Sequence, residues 1–397
     1  MGRWGKFLLL YAGGVVISLS QLKVPPVIPE LAAKFDTSVS ALSWLMSIFT
    51  VSGIFIALPG GMIVARIGAK KLLLGITACL ALGNFLGAVS SNYTVMLISR
   101  AVEGISFSTI VMTGVVLISY WFKESDNSGT AIGIFTTFSA AGSLIAMNIF
   151  APMAAQFGLQ SLWIFTGCLS LLLFFCFALF LDAPSSKAEG SAGEQGLFRI
   201  AAKNKKIWLL AVMQGCMAFV LFTFINIYPL LFTDYYGLSK TVANFYASLF
   251  GLFGIPFGVL AGYLIDKTKK PGLIISTAFL LMVCACLGSA YLSASTYILQ
   301  IFCLSVAASL SSSAVTIMVP HIAKHSKMIG YSMSLVNLLY YLGIFIGAPI
   351  ITKMIEKTSW RFGIFLLAGV AAIGFTVALF FWLTSTRTLS LQEEELS

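Results

Sequence analysis

Charge is what this sequence has least of. Of its 397 residues only 10% are Asp, Glu, Lys or Arg, against about 25% in an ordinary soluble domain. Hydrophobic residues make up 59%. That balance excludes a solvated globular surface and leaves a polytopic membrane protein. Histidine is almost missing. His321 and His325 are spaced to share a helix face, but two ligands do not make a zinc site. The seven cysteines all lie in apolar runs, which excludes a disulfide framework or metal cluster. They read as buried small hydrophobes. A Walker-type glycine loop is also lacking, as is a nucleophile–base pair beside a polar cleft. An ATP-driven pump, a membrane enzyme and a resident cofactor are therefore not expected. The net charge of +10 is spread through short connectors, not gathered into a basic patch, so no nucleic-acid partner is expected.

What is there is length and repetition. Twelve apolar runs of about twenty residues, the length that crosses a bilayer, cover about 6–29, 39–64, 72–91, 93–122, 129–155, 160–181, 207–232, 240–265, 272–293, 295–320, 328–353 and 361–384. Arg3 and Lys6 followed by an apolar stretch imitate a secretory signal, but no small-residue cleavage site follows, and the stretch reads as an uncleaved first span. The expected organisation is an all-α membrane protein of two six-helix bundles. These are 1–181 and 207–397, the second ending in a short cytoplasmic tail and joined to the first by a flexible cytoplasmic linker, 182–206, with Pro184, Ser185, Gly190 and Gly193. With the N-terminus placed in the cytoplasm, seventeen of the twenty-four Lys and Arg residues fall on that side and five on the other. Both termini are thus expected in the cytoplasm, with the chain in a cell (inner) membrane.

The halves also repeat. Gly61 and Gly262, Gly129 and Gly330, and Gly142 and Gly343 are each 201 residues apart, and Pro29 and Pro229 each close the first span of their half. Parallel halves about an axis along the membrane normal are a transporter architecture.

Two charges interrupt the fourth run. Arg100 and Glu103 share a helix face in a run, 93–122, with no other charge. Each charge costs about 2.5–3.5 kcal/mol at bilayer depth and normally faces a bundle interior or a wet cavity. Lys23 is a third charge within a span, in the outer half of the first. Lys23 and Arg100 are candidate solute-binding cations for a small anion, with Glu103 as the proton-coupling carboxylate. The alternatives are a structural ion pair for Arg100 and Glu103, and snorkelling to headgroups for Lys23. The second half has only neutral candidates: Gln214, Asn226, Tyr228, Asn244 and Tyr246, then Ser309, Ser312, Ser313 and Thr316, and Asn337, Tyr340 and Tyr341. Asn226, Tyr228, Asn337 and Tyr340 are taken as its solute-binding set, with interhelical hydrogen bonding as the other reading. Pro25, Pro26 and Pro29 should kink or end the first span. Trp44, Trp163 and Trp360 fit an interfacial belt.

The connector Gly61-Met62-Ile63-Val64-Ala65-Arg66-Ile67-Gly68-Ala69-Lys70 resembles the G-x-L-a-D-R-x-G-R-K signature of the major facilitator superfamily. Gly61, Arg66, Gly68 and Lys70 match it, while Ala65 replaces the aspartate and Ala69 the first of the final basic pair. A weaker copy, Gly262 to Lys269, keeps the aspartate as Asp266. Arg100, Glu103 and Gly104 resemble the family's R-x-x-q-G motif. Gln21-Leu22-Lys23-Val24-Pro25-Pro26 is loosely similar to the cyanate and nitroimidazole transporter branch. The resemblance implies a monomeric secondary transporter working by alternating access, with Gly61, Arg66, Gly68, Lys70 and Asp266 as gating residues. Its small, anionic solute would move with protons. A drug efflux antiporter and a non-transporting membrane sensor are the competing readings. The first lacks support from span five, where Gly142 and Pro152 are far apart.

Overall fold

A computed structural model of the chain describes residues 1–57, 67–122, 131, 134–135, 137–182, 194–268, 270–323 and 326–394. Among them every regular element is helical. The first half holds α1 (Arg3–Leu22), α2 (Ile28–Phe35), α3 (Val39–Ala57), α4 (Ala69–Ala88), α5 (Tyr93–Trp121), α6 (Phe138–Phe157) and α7 (Gln160–Phe180). A connector helix follows, α8 (Glu194–Lys203). The second half holds α9 (Lys205–Leu230), α10 (Lys240–Thr268), α11 (Pro271–Ser289), α12 (Tyr297–Ala323), α13 (Ser326–Lys357) and α14 (Trp360–Glu394). Eleven stretches among the described residues are long and apolar enough to cross a membrane, with α1 and α2 counted as one. The 29-residue α10 completes the expected twelve. We call the end of the bundle holding Arg3, Asp182 and Lys205 the near end, and that holding Asp36, Tyr93 and Lys357 the far end.

Local chemistry sets the helix limits. Asn92 caps α5 by accepting from the Val95 amide at 2.9 Å, and Asn204 caps α9 through the Lys206 amide at 3.0 Å. Pro25 and Pro26 lack the N–H groups that would continue α1. The chain therefore makes a short 3-10 turn, Pro25–Val27, before α2. Pro29 falls in the first turn of α2, where proline is tolerated, and Pro229 lies inside α9 ahead of a π turn, Leu231–Tyr235. The connector expected to be a flexible linker contains α8, which packs on α13 with Ala201 fully buried. Its stretch 183–193 lies outside the described residues.

Packing repeats with the sequence. In the first half α1 packs on α6, α3 on α5, and α4 on both α5 and α7. In the second half α9 packs on α13, α10 on α12, and α11 on both α12 and α14. Counted as spans, each second-half pair is a first-half pair advanced by six. The main contacts between halves, α3 with α13 and α6 with α10, exchange under the same operation. The glycines show why. A Cβ at Gly142 on α6 would lie 2.4 Å from the Ser18 side chain on α1, and one at its repeat partner Gly343 on α13 would lie 2.3 Å from the Gly215 carbonyl oxygen on α9. Both crossings are close because neither position carries a side chain, and close approach is what holds helices together in lipid.

Gly343→Ala should therefore destabilise the purified protein by about 1–3 kcal/mol, the range for overpacking. Gly75→Ala, which meets nothing within 4 Å, should cost nothing and gain up to about 1 kcal/mol of helix propensity. Thermal unfolding in detergent measures both, and equal effects would contradict the close-packing account.

Candidate functional site

Two features concern function: a buried charge cluster within the first half and a cavity between the halves. The cluster begins at the break in α1. Because residue 25 is proline, the Gln21 carbonyl has no amide to accept from four positions on. Arg100 supplies the missing donor. Its Nη2 donates to the Gln21 carbonyl at 2.9 Å, its Nη1 to the Ser20 carbonyl at 2.6 Å, and its Nε to the Leu45 carbonyl of α3 at 3.0 Å. Nη1 also donates to Glu103 at 2.6 Å, and Nη2 reaches the Met46 sulfur at 3.9 Å. All five guanidinium hydrogens are spoken for, and the Phe49 ring centroid lies 4.3 Å from the guanidinium carbon.

Glu103 is held as fully. Its two oxygens accept from Ser20 at 2.8 Å, Lys23 at 3.0 Å, Ser99 at 3.1 Å and Arg100. Lys23, the residue that ends α1, donates also to Ser20 and to Asn84 on α4, and sits 4.6 Å from the centroid of the Trp163 ring on α7. Asn84 in turn accepts from Thr166 on α7. Arg100, Glu103 and Lys23 have 0% exposure. Glycine makes room for them. A Cβ at Gly83 would meet Glu103 at 2.7 Å, and one at Gly104 would lie 1.7 Å from the Phe49 carbonyl oxygen. The cluster thus ties α1, α3, α4, α5 and α7 together.

The cavity, about 280 Å³, lies between the halves at mid-depth. Leu22 of α1 and Thr137, Ser139, Ala140 and Ser143 at the start of α6 line one wall. The other wall comes from α9, α10, α12 and α13, including Met217, Phe222, Phe250, Ser309, Ser312 and Tyr340. No charged side chain lines it among the described residues. Toward the far end, Lys240 of α10 pairs with Glu30 of α2, and Glu356 of α13 accepts from the Ser40 amide at 2.8 Å. The ring centroids of Trp44 on α3 and Phe345 on α13 are 5.4 Å apart.

Of the predicted solute-binding residues, Tyr340 lines the cavity. Lys23 and Arg100 do not, which corrects the expectation of cations open to a solute. Both are enclosed with their donors consumed, those of Arg100 by backbone carbonyls and Glu103, those of Lys23 by Glu103, Asn84 and Ser20. Snorkelling of Lys23 is likewise ruled out by its burial. Tyr228 is fully buried, donates to Gln300 at 2.9 Å and stacks among Phe232, Phe250 and Tyr297. Asn226 turns back to donate to the Phe222 carbonyl at 2.7 Å. Asn337 is partly buried on α13 and outside the cavity lining. Trp163 is 1% exposed, so it belongs under Lys23 and not to an interfacial belt. Among the gating residues, Gly61 and Arg66 lie outside the described residues, as does the side chain of Asp266. Gly68 precedes α4 with φ 87°, which favours glycine, and Lys70 donates to the Ala178 carbonyl at 3.0 Å, within its own half. Sequence reasoning missed Ser20, Asn84, Ser99 and Thr166 around the charges, and Thr137, Ser139 and Ser143 in the cavity. For Ser20 and Ser99 the signal was present, since each precedes its charged partner by three or four residues on one helix face.

Replacing Glu103 by Gln removes the counter-charge of two buried cations, and breaking such a cluster costs about 3–5 kcal/mol. Glu103→Gln should therefore lower the unfolding temperature sharply. Lys23→Met combined with Glu103→Gln should lower it less than Glu103→Gln alone, because one orphaned cation is gone. Simple additivity of the two losses in thermal unfolding would contradict the cluster.

Comparison with known proteins agrees with the fold. The family model of the Major Facilitator Superfamily matches residues 10–331 and 210–396. The probable sulfoacetate transporter SauU of Cupriavidus necator is 21% identical over 64% of this chain and 62% of its own length. Quinolone resistance protein NorA of Staphylococcus aureus is 25% identical over 66% of each chain, and the putative transporter AraJ of Escherichia coli is 20% identical over 70% of this chain and 69% of its own. The chain thus spans slightly less than two thirds of the first two relatives. With its helices packed in two repeated halves, a cavity between them and this family match, the chain belongs to the Major Facilitator Superfamily and is a multi-pass membrane protein.

Proposed function

We propose that the protein carries a compact, largely apolar solute by alternating access, binding it in the cavity between the two halves. The observation that carries this reading is the lining. Both halves contribute, aromatic and aliphatic side chains predominate, and hydroxyls supply the polar groups. Pockets of this character, apolar with a few placed polar atoms, are typical solute sites. The helix contacts between halves support a rocking motion of one half against the other. The cavity is complete within one chain, which suits a monomer.

The anion expected from Lys23 and Arg100 finds no support in this geometry, because neither cation has a free donor to offer. The same holds for proton coupling through Glu103, whose oxygens already accept from four side chains. We assign the cluster a positioning role. One relative is named for an anionic solute and another for resistance to a drug class. The uncharged cavity speaks against the first kind of cargo for this chain. The excess of Lys and Arg on the near-end side of the spans favours a cytoplasmic near end in a cell membrane. The far-end contacts, Lys240 with Glu30 and Glu356 with the Ser40 amide, then close the outward side, and alternation must break them.

A cysteine pair at Glu30 and Lys240, oxidised in proteoliposomes, should arrest solute exchange and release it again on reduction. The single-cysteine proteins should not respond. Exchange that continues at full rate with the cross-link formed would contradict alternating access at this interface.

A further inference from the structure

A second cleft, about 480 Å³ in volume, lies at the far end, where α3 and α5 of the first half meet α13 of the second. Each helix lines it with two residues one turn apart: Ser40 and Trp44, Tyr93 and Leu97, Lys353 and Pro349. Ser40, Tyr93 and Lys353 lie within about a turn of their helix ends, which for membrane-spanning helices is the level of the lipid headgroups. The second residue of each pair is about 6 Å deeper, and there Leu97, Pro349 and Ile350 make the cleft apolar. Trp44, packed on Phe345 of α13, and Ile350 are exposed at a depth where the surroundings are lipid. Lys353 has no ion pair or hydrogen bond among the described residues. Glu356, one turn on along α13, accepts from the Ser40 amide instead and lines the neighbouring cavity with Asp234. The Tyr93 hydroxyl is spent on the Ala41 carbonyl, while the Trp44 indole N–H has no partner among the described residues. A cleft with an unpaired cation at headgroup level and an apolar floor one turn deeper matches an amphiphile with an anionic head.

We propose that this cleft seats one anionic phospholipid, such as phosphatidylglycerol, from the far-end leaflet. Its phosphate meets the Lys353 ammonium, the Trp44 indole N–H donates to an ester carbonyl, and the first carbons of an acyl chain lie beside Leu97 and Ile350. Tryptophan suits this place because its ring is apolar and its N–H is not. A zwitterionic head brings its own cation toward the same ammonium and so gains less. The seated lipid touches α3 and α5 of one half and α13 of the other, and ties the halves where Glu356 already holds the Ser40 amide.

Purified full-length protein, stripped of lipid in detergent, is titrated with phosphatidylglycerol or with phosphatidylcholine of the same acyl chains, and native mass spectrometry counts the lipids retained. The first phosphatidylglycerol should bind about fivefold more tightly than phosphatidylcholine, the worth of a single lysine near an anionic surface. Lys353→Gln should abolish that preference without lowering the unfolding temperature of the lipid-free protein, since the ammonium has no partner to lose. Lys357→Gln, one turn farther along the same helix and outside the lining, should keep the preference. Ile350→Trp, which fills the apolar end, should remove retention of the first lipid with either head. No retained lipid, equal binding of the two lipids, a preference that survives Lys353→Gln, or one lost equally in Lys357→Gln overturns the headgroup assignment. Retention of the first lipid unchanged by Ile350→Trp overturns its placement in the cleft.

Discussion

A backbone carbonyl without an amide organises the first half of this protein. Pro25 and Pro26 cannot donate, so the end of α1 presents unsatisfied carbonyls deep inside the bundle, where no bulk water can meet them. Arg100 meets the Gln21 carbonyl from α5 through Nη2, and its Nη1 donates to the neighbouring Ser20 carbonyl. A guanidinium can do this because it directs five donors along fixed directions. Its charge then needs an anion, which Glu103 supplies at 2.6 Å. Lys23 and the ring of Ser20, Asn84 and Ser99 complete the carboxylate's surroundings. The charged cluster follows from the broken helix.

The second half serves as the control experiment within the same chain. At the offset of 201 residues, Lys23, Arg100 and Glu103 correspond to Phe224, Ile301 and Leu304, all three fully buried. Pro25 and Pro26 correspond to Asn226 and Ile227, and there α9 runs unbroken to Leu230. Where α9 continues through Asn226 and Ile227, which keep their amides, the core is apolar. At the break in α1, ions appear. Buried ion clusters are seldom more stable than apolar cores of the same volume, so the break, and not a demand for stability, accounts for the charges. The 3-10 turn between α1 and α2 lies against α9, which puts the break at the meeting of the two halves.

Much of the fold was legible beforehand. Twelve spans, the division into halves and the 201-residue repeat follow from run length and glycine spacing, because bilayer thickness and close helix packing impose both on sequence. The site was less legible. Spacing put Arg100 and Glu103 on one face and Lys23 in the same half of the membrane, but not which way that face turned. A charge facing a cavity and a charge capping a neighbouring helix produce the same pattern in a sequence. What distinguishes them here is Gln21 and Pro25, which bear no charge and read in the sequence only as part of a family pattern and a kink. The cavity hydroxyls Thr137, Ser139 and Ser143 were illegible for a related reason: serine and threonine at helical spacing look alike whether they bond their own helix or face a solute.

The account stands on the link between the proline break and the guanidinium, and a double-mutant cycle measures it. Arg100→Met should destabilise the protein strongly in its native background, by leaving the Gln21 carbonyl bare. With alanines at positions 25 and 26, the restored amides can satisfy the end of α1, and the same change should cost less. A coupling energy between the two sites of about 0.5–3 kcal/mol, the range for residues sharing a network, is the predicted result of thermal or denaturant unfolding. Strict additivity, with Arg100→Met equally damaging in both backgrounds, would contradict it.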